Sequence, residues 1–556
     1  MTAEISPLQK ARAAYQPKLP KLLADFGPFA AVNEGAPTES VADQAAIRKL
    51  FPDTYGLPAI DFAPRKDERA SKPVKVGVIL SGGQAPGGHN VIAGLFDGLK
   101  QLNARNELFG FLGGPSGLID GEYIRLDKKI IDAYRNTGGF DMIRSGRTKL
   151  DEEEKFAKVM ANCKKMGISA VVIIGGDDSN TNACTLAQYL IEKKSGIQVI
   201  GCPKTIDGDL KNQWIEVSFG FDTATKVYSE IIGNIMRDAN SARKYWHFIK
   251  LMGRSASHIA LECALKTHPQ ACIISEEVEA EKHSLKKIVD DLTRVVVDRA
   301  AKGMNFGVAL IPEGLIEFVP EIKKLIAELN DLLAKKAEEF EQCATVDDKI
   351  EFVCANLSKA SQKAFRTMPK AIEAQLVGDR DPHGNVQVSK IETEKMLAGM
   401  IEENIKALNA KAKTKDKKIK FSAQCHFLGY EGRCAAPSNF DADYCYSLGF
   451  TAAALIGAGK TGYMSCVRNI SKDATKWIAG GIPLTMMMNM ERRNGKNVPV
   501  IRKALVDLNG APYKTLVKNR EKWAEGIEFV YPGPIQYFGP SEVCDLPTET
   551  IKLEHK

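Results

Sequence analysis

Three short apolar runs pattern the middle of the chain. The first, VKVGVIL at residues 74–80, is apolar at nearly every position, ends in the polar turn SGGQAPGGHN and gives way to NVIAGLFDGLKQL, where apolar residues recur at helical spacing. The second, AVVIIGGDDSNTNACTLAQYLIEKK at residues 170–194, repeats the order of buried strand, polar turn and helix. The third, IQVIGCPKTIDGDL at residues 197–210, ends in another polar turn. Strands apolar on both faces and alternating with helices predict a mostly parallel sheet covered on both sides. Such sheets bind ligands beyond the carboxyl ends of their strands, where all three turns are expected to lie.

A chain of 556 residues exceeds what one core usually supports. The expected fold is α/β, with two Rossmann-like three-layer domains of mostly parallel sheet, an N-terminal extension and a helical insertion. Residues 1–70, rich in proline and with Phe26, Phe29, Phe51 and Tyr55 among turn signals, read as an extension wrapped over the body. Residues 71–220 form the first α/β domain, completed by part of 430–510, and residues 221–314 form the second. Residues 315–420 are the insertion: PEIKKLIAELNDLLAKKAEEFEQ is strongly helical, and the lysine-rich KALNAKAKTKDKKIK reads as a solvated helix or linker. Residues 421–556 supply the remainder of both domains and a C-terminal segment.

A formal net charge of +7 is thin over this length, so no nucleic-acid footprint is expected and any attraction for anions must be local. Twelve cysteines, from Cys163 to Cys544, form no CxxC pair, which reads as reduced thiols in a cytoplasmic setting. The segment MTAEISPLQKARAAYQPKLP lacks the apolar core of a signal peptide, and no stretch approaches the roughly 18 apolar residues of a membrane span. No membrane partner is expected.

Chemistry concentrates in the three turns. Glycine in Ser81-Gly82-Gly83-Gln84-Ala85-Pro86-Gly87-Gly88 lets backbone approach a phosphate, whose charge is favoured by free N–H groups and a helix dipole; the same composition also serves plain packing. Asp177 and Asp178 stand side by side at a strand end. Capping a helix needs one acid, and two adjacent ones repel unless a cation or hydrogen bonds compensate, which makes Asp177 a candidate Mg²⁺ ligand. The turn Pro203-Lys204-Thr205-Ile206-Asp207-Gly208-Asp209 supplies an ammonium, a hydroxyl and two carboxylates, the kit for proton removal and charge neutralisation.

Taken together, SGGxAPG, GGDDS, PKTIDGD, MGRSASHIALECAL and GYEGR, in this order, resemble the long type of pyrophosphate-dependent phosphofructokinases, from about residue 71 to the end. The resemblance implies phosphoryl transfer between pyrophosphate and the C1 hydroxyl of fructose 6-phosphate, with Mg²⁺ as cofactor. Asp207 matches the catalytic base, Asp177 the Mg²⁺ site, Gly82 and Gly83 the donor loop, and Thr205, Ile206 and Asp209 the neighbours of the reacting centre. Met252, Gly253 and Arg254 look like the segment near the sugar and transferred group, and Glu313 like an acceptor of a sugar hydroxyl. Tyr430 and Arg433 match a 6-phosphate site, Lys244 and Tyr245 match 6-phosphate contacts made across a subunit interface, and Arg147 aligns with a basic residue near the donor. A homodimer or larger homo-oligomer is implied.

Family members that use ATP resemble GGDGS and PGTID at the two later turns, where this chain has Asp178 and Lys204. A carboxylate in place of that glycine crowds and repels an α-phosphate; at about 4 Å and an effective dielectric near 20 the repulsion is roughly 4 kcal/mol. Lys204 supplies positive charge beside the donor. The alternatives are an ATP-dependent enzyme and a noncatalytic regulatory subunit, the latter opposed by the presence of both Asp177 and Asp207. Two other motifs have plain readings. Gly457-Ala458-Gly459-Lys460-Thr461 lacks the upstream glycine of a Walker A loop, since position 454 is Ala, and reads as a helix end with a turn. Asn439, Asp441 and Asp443 lack the glycine and terminal Glu of a calcium loop and read as the start of a capped helix.

Overall fold

The computed structural model describes residues 7–65, 72–378, 386–412, 418–493, 496–534 and 545–556. Its strands are β1 Ala31–Pro37, β2 Pro58–Ala63, β3 Lys75–Leu80, β4 Glu107–Phe111, β5 Tyr123–Leu126, β6 Ile168–Gly175, β7 Gln198–Thr205, β8 Phe219–Gly220, β9 Trp246–Leu251, β10 Ala271–Cys272, β11 Gly307–Pro312, β12 Ala423–Leu428, β13 Tyr463–Arg468, β14 Ile478–Pro483, β15 Met488–Arg493 and β16 Lys496–Ile501. The chain divides into two units, the first comprising Met1–Val227, Tyr430–Ala504 and Ile535–Lys556, the second Tyr228–Gly429 and Leu505–Pro534.

The first unit holds a ten-stranded sheet of order β1-β2-β14-β13-β7-β6-β3-β4-β5, with β8 added to β7. Its middle strands β13, β7, β6, β3 and β4 run parallel. Antiparallel β5 closes one edge, and β14, β2 and β1 the other. The apolar runs explain the arrangement: Val171, Val172, Ile173 and Ile174 of β6 are all buried, as strands covered on both faces must be, and each such side chain contributes about 1.5–3 kcal/mol. In register, Leu80 faces Ile174 and Gly175 faces Pro203, so β3, β6 and β7 end at one level.

The N-terminal extension does more than wrap. It supplies β1 and β2, and buried Arg12 donates to Asn439 Oδ1 at 2.7 Å and to the Pro437 carbonyl. Tyr15 Oη and the Lys18 N–H both donate to Asp443 Oδ1, at 2.9 and 2.8 Å.

The second unit carries a four-stranded, wholly parallel sheet of order β10-β11-β9-β12. The insertion is helical, with Pro320–Lys335, Val346–Asn356, Lys359–Arg366 and Thr393–Lys411 among its helices. Leu325, Val353, Phe365 and Leu397 from these helices join Trp246, Phe248 and Ile311 from the sheet in one buried cluster. Lys250 of β9 is buried beside Glu394 at 3.5 Å and donates to Ile391 O at 3.0 Å, a polar tie between sheet and insertion. The lysine-rich run is helical as far as Lys411; residues 413–417 lie outside the described residues.

Candidate active site

Because β3, β6 and β7 are neighbours and end level, their three turns are adjacent. Side chains and backbone then lock them together. Ser179 Oγ donates to Ser81 Oγ at 2.8 Å, joining the first turn to the second. Asn180 Nδ2 donates to Gly175 O at 2.6 Å and to Cys202 O at 3.3 Å, joining the second to the third. The Gly82 N–H donates to Gly146 O at 2.8 Å, which sets Arg147 beside the glycine loop. Gly82 has φ +84, a left-handed conformation that favours glycine. At Gly83 the need is space: a Cβ there would lie 1.3 Å from Arg433 Nη2, and Arg433 Nε donates to Gln84 O at 3.0 Å. Arg433 thus lies along the glycine loop, while Tyr430 one turn earlier is 68% exposed.

The third turn is built for Asp207. Thr205 Oγ1 accepts the Asp207 N–H at 3.0 Å, the Ser218 hydroxyl donates to Thr205 O at 2.9 Å, and Ile206 is buried beneath. Asp207 itself is half-buried. Lys204 is only 6% exposed, and burial, reinforced by Arg433, pushes its pKa down to about 8 against the pull of Asp207 and Asp177. Its Nζ stands 3.3 Å from where a Cβ on Gly82 would be. Asp209 is buried too, and burial together with Asp207 and Asp177 pushes its carboxyl up to about 7, partly offset by Lys503. Lys204 and Asp209 in one turn therefore depart from ordinary titration, a mark of functional sites.

Asp177 and Asp178 occupy the first turn of the helix Asp177–Glu192, where the helix dipole favours carboxylates. Asp178 is exposed. Asp177 Oδ2 is buried without a hydrogen bond, its neighbour being the Lys503 ammonium at 3.5 Å. That orphaned carboxylate oxygen fits a hard divalent cation. The described residues contain no group of three or more His, Cys, Asp or Glu able to hold a metal, so such a cation would take most of its ligands from phosphate oxygens and water, as Mg²⁺ commonly does.

The other predicted residues belong to the second unit, at the carboxyl ends of its strands. Met252, Gly253 and Arg254 follow β9, and Glu313 follows β11. Buried Glu313 accepts the Gly253 N–H on Oε2 at 3.1 Å and donates its own N–H to Leu251 O at 2.9 Å, which fixes the two turns together. A Cβ on Gly314 would lie 1.8 Å from Arg254 O, so the turns touch at the backbone. Met252 is buried and Arg254 exposed. Lys244 is exposed just ahead of β9, its ammonium 4.9 Å over the Tyr245 ring. A cavity of about 460 Å³ lies elsewhere in this unit, between Gln270–Ile274 and the helices Leu285–Ala301 and Ala511–Glu525. Its charges pair with one another, as in Arg520 with Glu277 and Lys302 with Glu525.

The sequence model for "Phosphofructokinase" matches residues 75–456. The chain belongs to the phosphofructokinase family. Among the relatives of this phosphofructokinase, it is 57% identical to "Pyrophosphate--fructose 6-phosphate 1-phosphotransferase" of Porphyromonas gingivalis over 99% of both chains. It is 52% identical to the protein of the same name from Entamoeba histolytica, again over 99% of each. Among solved structures, the pyrophosphate-dependent phosphofructokinase of Nitrosospira multiformis superposes with a TM-score of 0.53 at 17% identity, over 82% of this chain and 93% of that one, a likeness of fold. The expected α/β architecture with mostly parallel sheets is the family's.

The plain readings of the rival motifs hold in this phosphofructokinase. Residues Asn439–Gly457 are a helix whose Ser438 cap accepts the Asp441 N–H at 3.2 Å. Asp441 is spent on the N–H groups of Gly220 and Thr223, and Asp443 on Tyr15 and Lys18. The helix ends at Gly457, Gly459 turns with φ +73, and Lys460 pairs with Glu34. No described helix is long and apolar enough to cross a membrane. What the motifs missed is Lys503 at Asp177 and the seat of Arg433 against Gly83. Neither placement has a local signal: GYEGR marks Arg433 without its partner, and Lys503 falls in no motif.

Proposed function

We propose that this phosphofructokinase transfers a phosphoryl group reversibly from pyrophosphate to the C1 hydroxyl of fructose 6-phosphate, giving fructose 1,6-bisphosphate and phosphate. The observation that carries this reading is the buried Lys204 beside the glycine loop, at a turn that also presents Asp207. A buried ammonium next to Gly82 answers a compact, highly charged donor that brings no nucleoside to grip.

In this account Gly82, Gly83 and Arg147 cradle the donor phosphates, while Lys204 neutralises charge on the transferring group. Asp207 accepts the C1 hydroxyl proton as that oxygen attacks phosphorus, and the Thr205 hydroxyl holds the Asp207 backbone in place by its 3.0 Å bond. Asp177 would hold Mg²⁺, which supplies neutralisation of the donor's charge when bound. Asp209, poised near neutrality, keeps a further negative charge away from the donor below about pH 7. On the sugar side, Arg254 and Glu313 serve the reacting end with Met252 and Gly253 shaping the turn. Tyr430, Arg433, Lys244 and Tyr245 serve the 6-phosphate, the last two from a neighbouring copy in a homodimer or larger assembly. Eleven free thiols among the described residues support a cytoplasmic setting.

A matrix of donors and acceptors tests the reading: pyrophosphate and ATP, each with fructose 6-phosphate and sedoheptulose 7-phosphate. Turnover with pyrophosphate and fructose 6-phosphate is the expected result. Turnover with ATP alone refutes the donor, and inactivity with every donor restores the noncatalytic subunit. Light scattering on the purified protein checks the assembly.

A further inference from the structure

One ammonium at the donor turns, Lys204, is part of a recognisable motif; a second arrives from a segment that no motif marks. β16 ends at Ile501, whose N–H donates to Thr181 Oγ1 at 3.0 Å in the helix that begins with Asp177. Beyond it, the Arg502 N–H donates to Met487 O at 2.9 Å and the Ala504 N–H donates to Asp209 O at 2.7 Å. These bonds clamp the backbone on both sides of Lys503 against the two turns that present Asp177 and Asp209. From this fixed base the Lys503 ammonium reaches within 3.5 Å of Asp177 Oδ2, its side chain 27% exposed and that of Asp177 22%. Its charge also reaches Asp209, whose carboxyl it draws downward.

We propose that Lys503 is a pyrophosphate-binding residue: its ammonium balances Asp177 and Asp209 while the donor is absent and shifts onto a donor phosphate oxygen when the metal-bound donor arrives. The proposal rests on the reading of Asp177 and the glycine loop as the donor site. A divalent cation held by Asp177 would repel the ammonium that lies 3.5 Å from Asp177 Oδ2 and so favour its moving away from that carboxylate. The ammonium need not travel far. A lysine stem of four carbons swings several ångströms while its backbone stays fixed, and donor oxygens are the nearest new negative charge. A donor made only of two phosphates draws its affinity from cations, and Lys204 and Lys503 would approach it from different turns.

The rival explanation is an ion pair that merely steadies the helix start, and the two separate by which substrate suffers. Lys503→Gln is compared with wild type in the full chain by varying pyrophosphate and fructose 6-phosphate separately. Calorimetric titration with magnesium imidodiphosphate, a pyrophosphate mimic that is not transferred, reads donor binding directly. The expected result is a KM for pyrophosphate and a Kd for imidodiphosphate each raised about 10- to 100-fold, as loss of a charged hydrogen bond implies, with KM for fructose 6-phosphate and Tm unchanged. Lys503→Arg, which keeps the charge, should restore most of the loss. Lys503→Met, which keeps the stem without the charge, serves the same comparison if the glutamine variant does not fold. Donor constants within twofold of wild type, or an equal loss of affinity for both substrates, overturn the proposal. A wild-type protein that does not turn over pyrophosphate defeats the donor site itself, an outcome distinct from a silent Lys503 variant.

Discussion

Replacing Lys204 by glutamine probes the proposed donor site most directly. The residue is 6% exposed, and its Nζ stands 3.3 Å from where a Cβ on Gly82 would be. The substitution therefore removes a positive charge at contact distance from the loop proposed to hold the donor. A unit charge pair at about 4 Å and an effective dielectric near 20 is worth about 4 kcal/mol, while charged hydrogen bonds lost by mutation cost about 1.5–3 kcal/mol. At pH 7, kcat/KM for pyrophosphate should fall about 10- to 1000-fold. Burial and Arg433 hold the Lys204 pKa down at about 8, so the ammonium is present below that pH and is lost as pH rises through it. Because kcat/KM reports the free enzyme, wild type should lose donor efficiency about tenfold per pH unit well above pH 8, whereas the glutamine variant has no proton there to lose. The ratio of wild type to variant cancels the donor's own ionisation. It should be flat from about pH 6 to 7.5 and fall by about tenfold or more by pH 9.5. A ratio flat across the whole range, or a substitution without effect at pH 7, refutes the reasoning.

Asp207→Ser should abolish most turnover while fructose 6-phosphate still binds, measured by calorimetry beside a coupled assay; full turnover removes Asp207 from the mechanism. Asp178→Gly combined with Lys204→Gly should lower pyrophosphate use and admit some ATP, read as the ratio of kcat/KM for the two donors. The gain is set by where the charges sit: Asp178 is exposed, so its repulsion of a nucleotide lies between about 1 and 4 kcal/mol as the effective dielectric runs from water's value to 20, and absence of any ATP gain refutes the argument. Asp209→Asn should stabilise the fold at pH 8 and not at pH 4. The Asp209 carboxyl is raised from 3.8 to about 7, so its favourable protonated state is present below 3.8 and lost as pH rises through 7, a difference of roughly 4 kcal/mol at most. Thermal melts at the two pH values check it, and equal Tm changes at both would show that ionisation is not the cause.

The parts of the fold and site that were legible in the sequence share a physical property: they are local. A strand covered on both faces must be apolar throughout, so β3, β6 and β7 announce themselves, and the turn after each is read off the next residues. Edge strand β1 is exposed along most of its length, and its neighbour β2 is a short strand reached only after a helix, so their residues read as an extension with scattered aromatics. Lys503, and the seat of Arg433 against Gly83, were hidden for another reason. Each is placed by backbone bonds or a close glycine at a turn distant in sequence, and nothing in the adjacent residues records that partner.

This division has a chemical consequence. The carboxylates of the site, Asp177, Asp178, Asp207 and Asp209, and one cation, Lys204, all come from the local turns, whereas Arg147, Arg433 and Lys503 are brought in from elsewhere in the unit. Burial pushes Lys204 down, helped by Arg433 and Arg147, while Asp207 and Asp177 pull it up; burial pushes Asp209 up, helped by those same acids, while Lys503 draws it down. Charges of both signs therefore hold one another near neutrality before a substrate arrives. Pyrophosphate with one divalent cation still carries net negative charge, so it would add to the carboxylates of the site and rely on these cations to offset it. Arg147 and Lys503 are the cations from outside the local turns that are proposed for the donor, and their substitution should tell on donor binding before it tells on the fold.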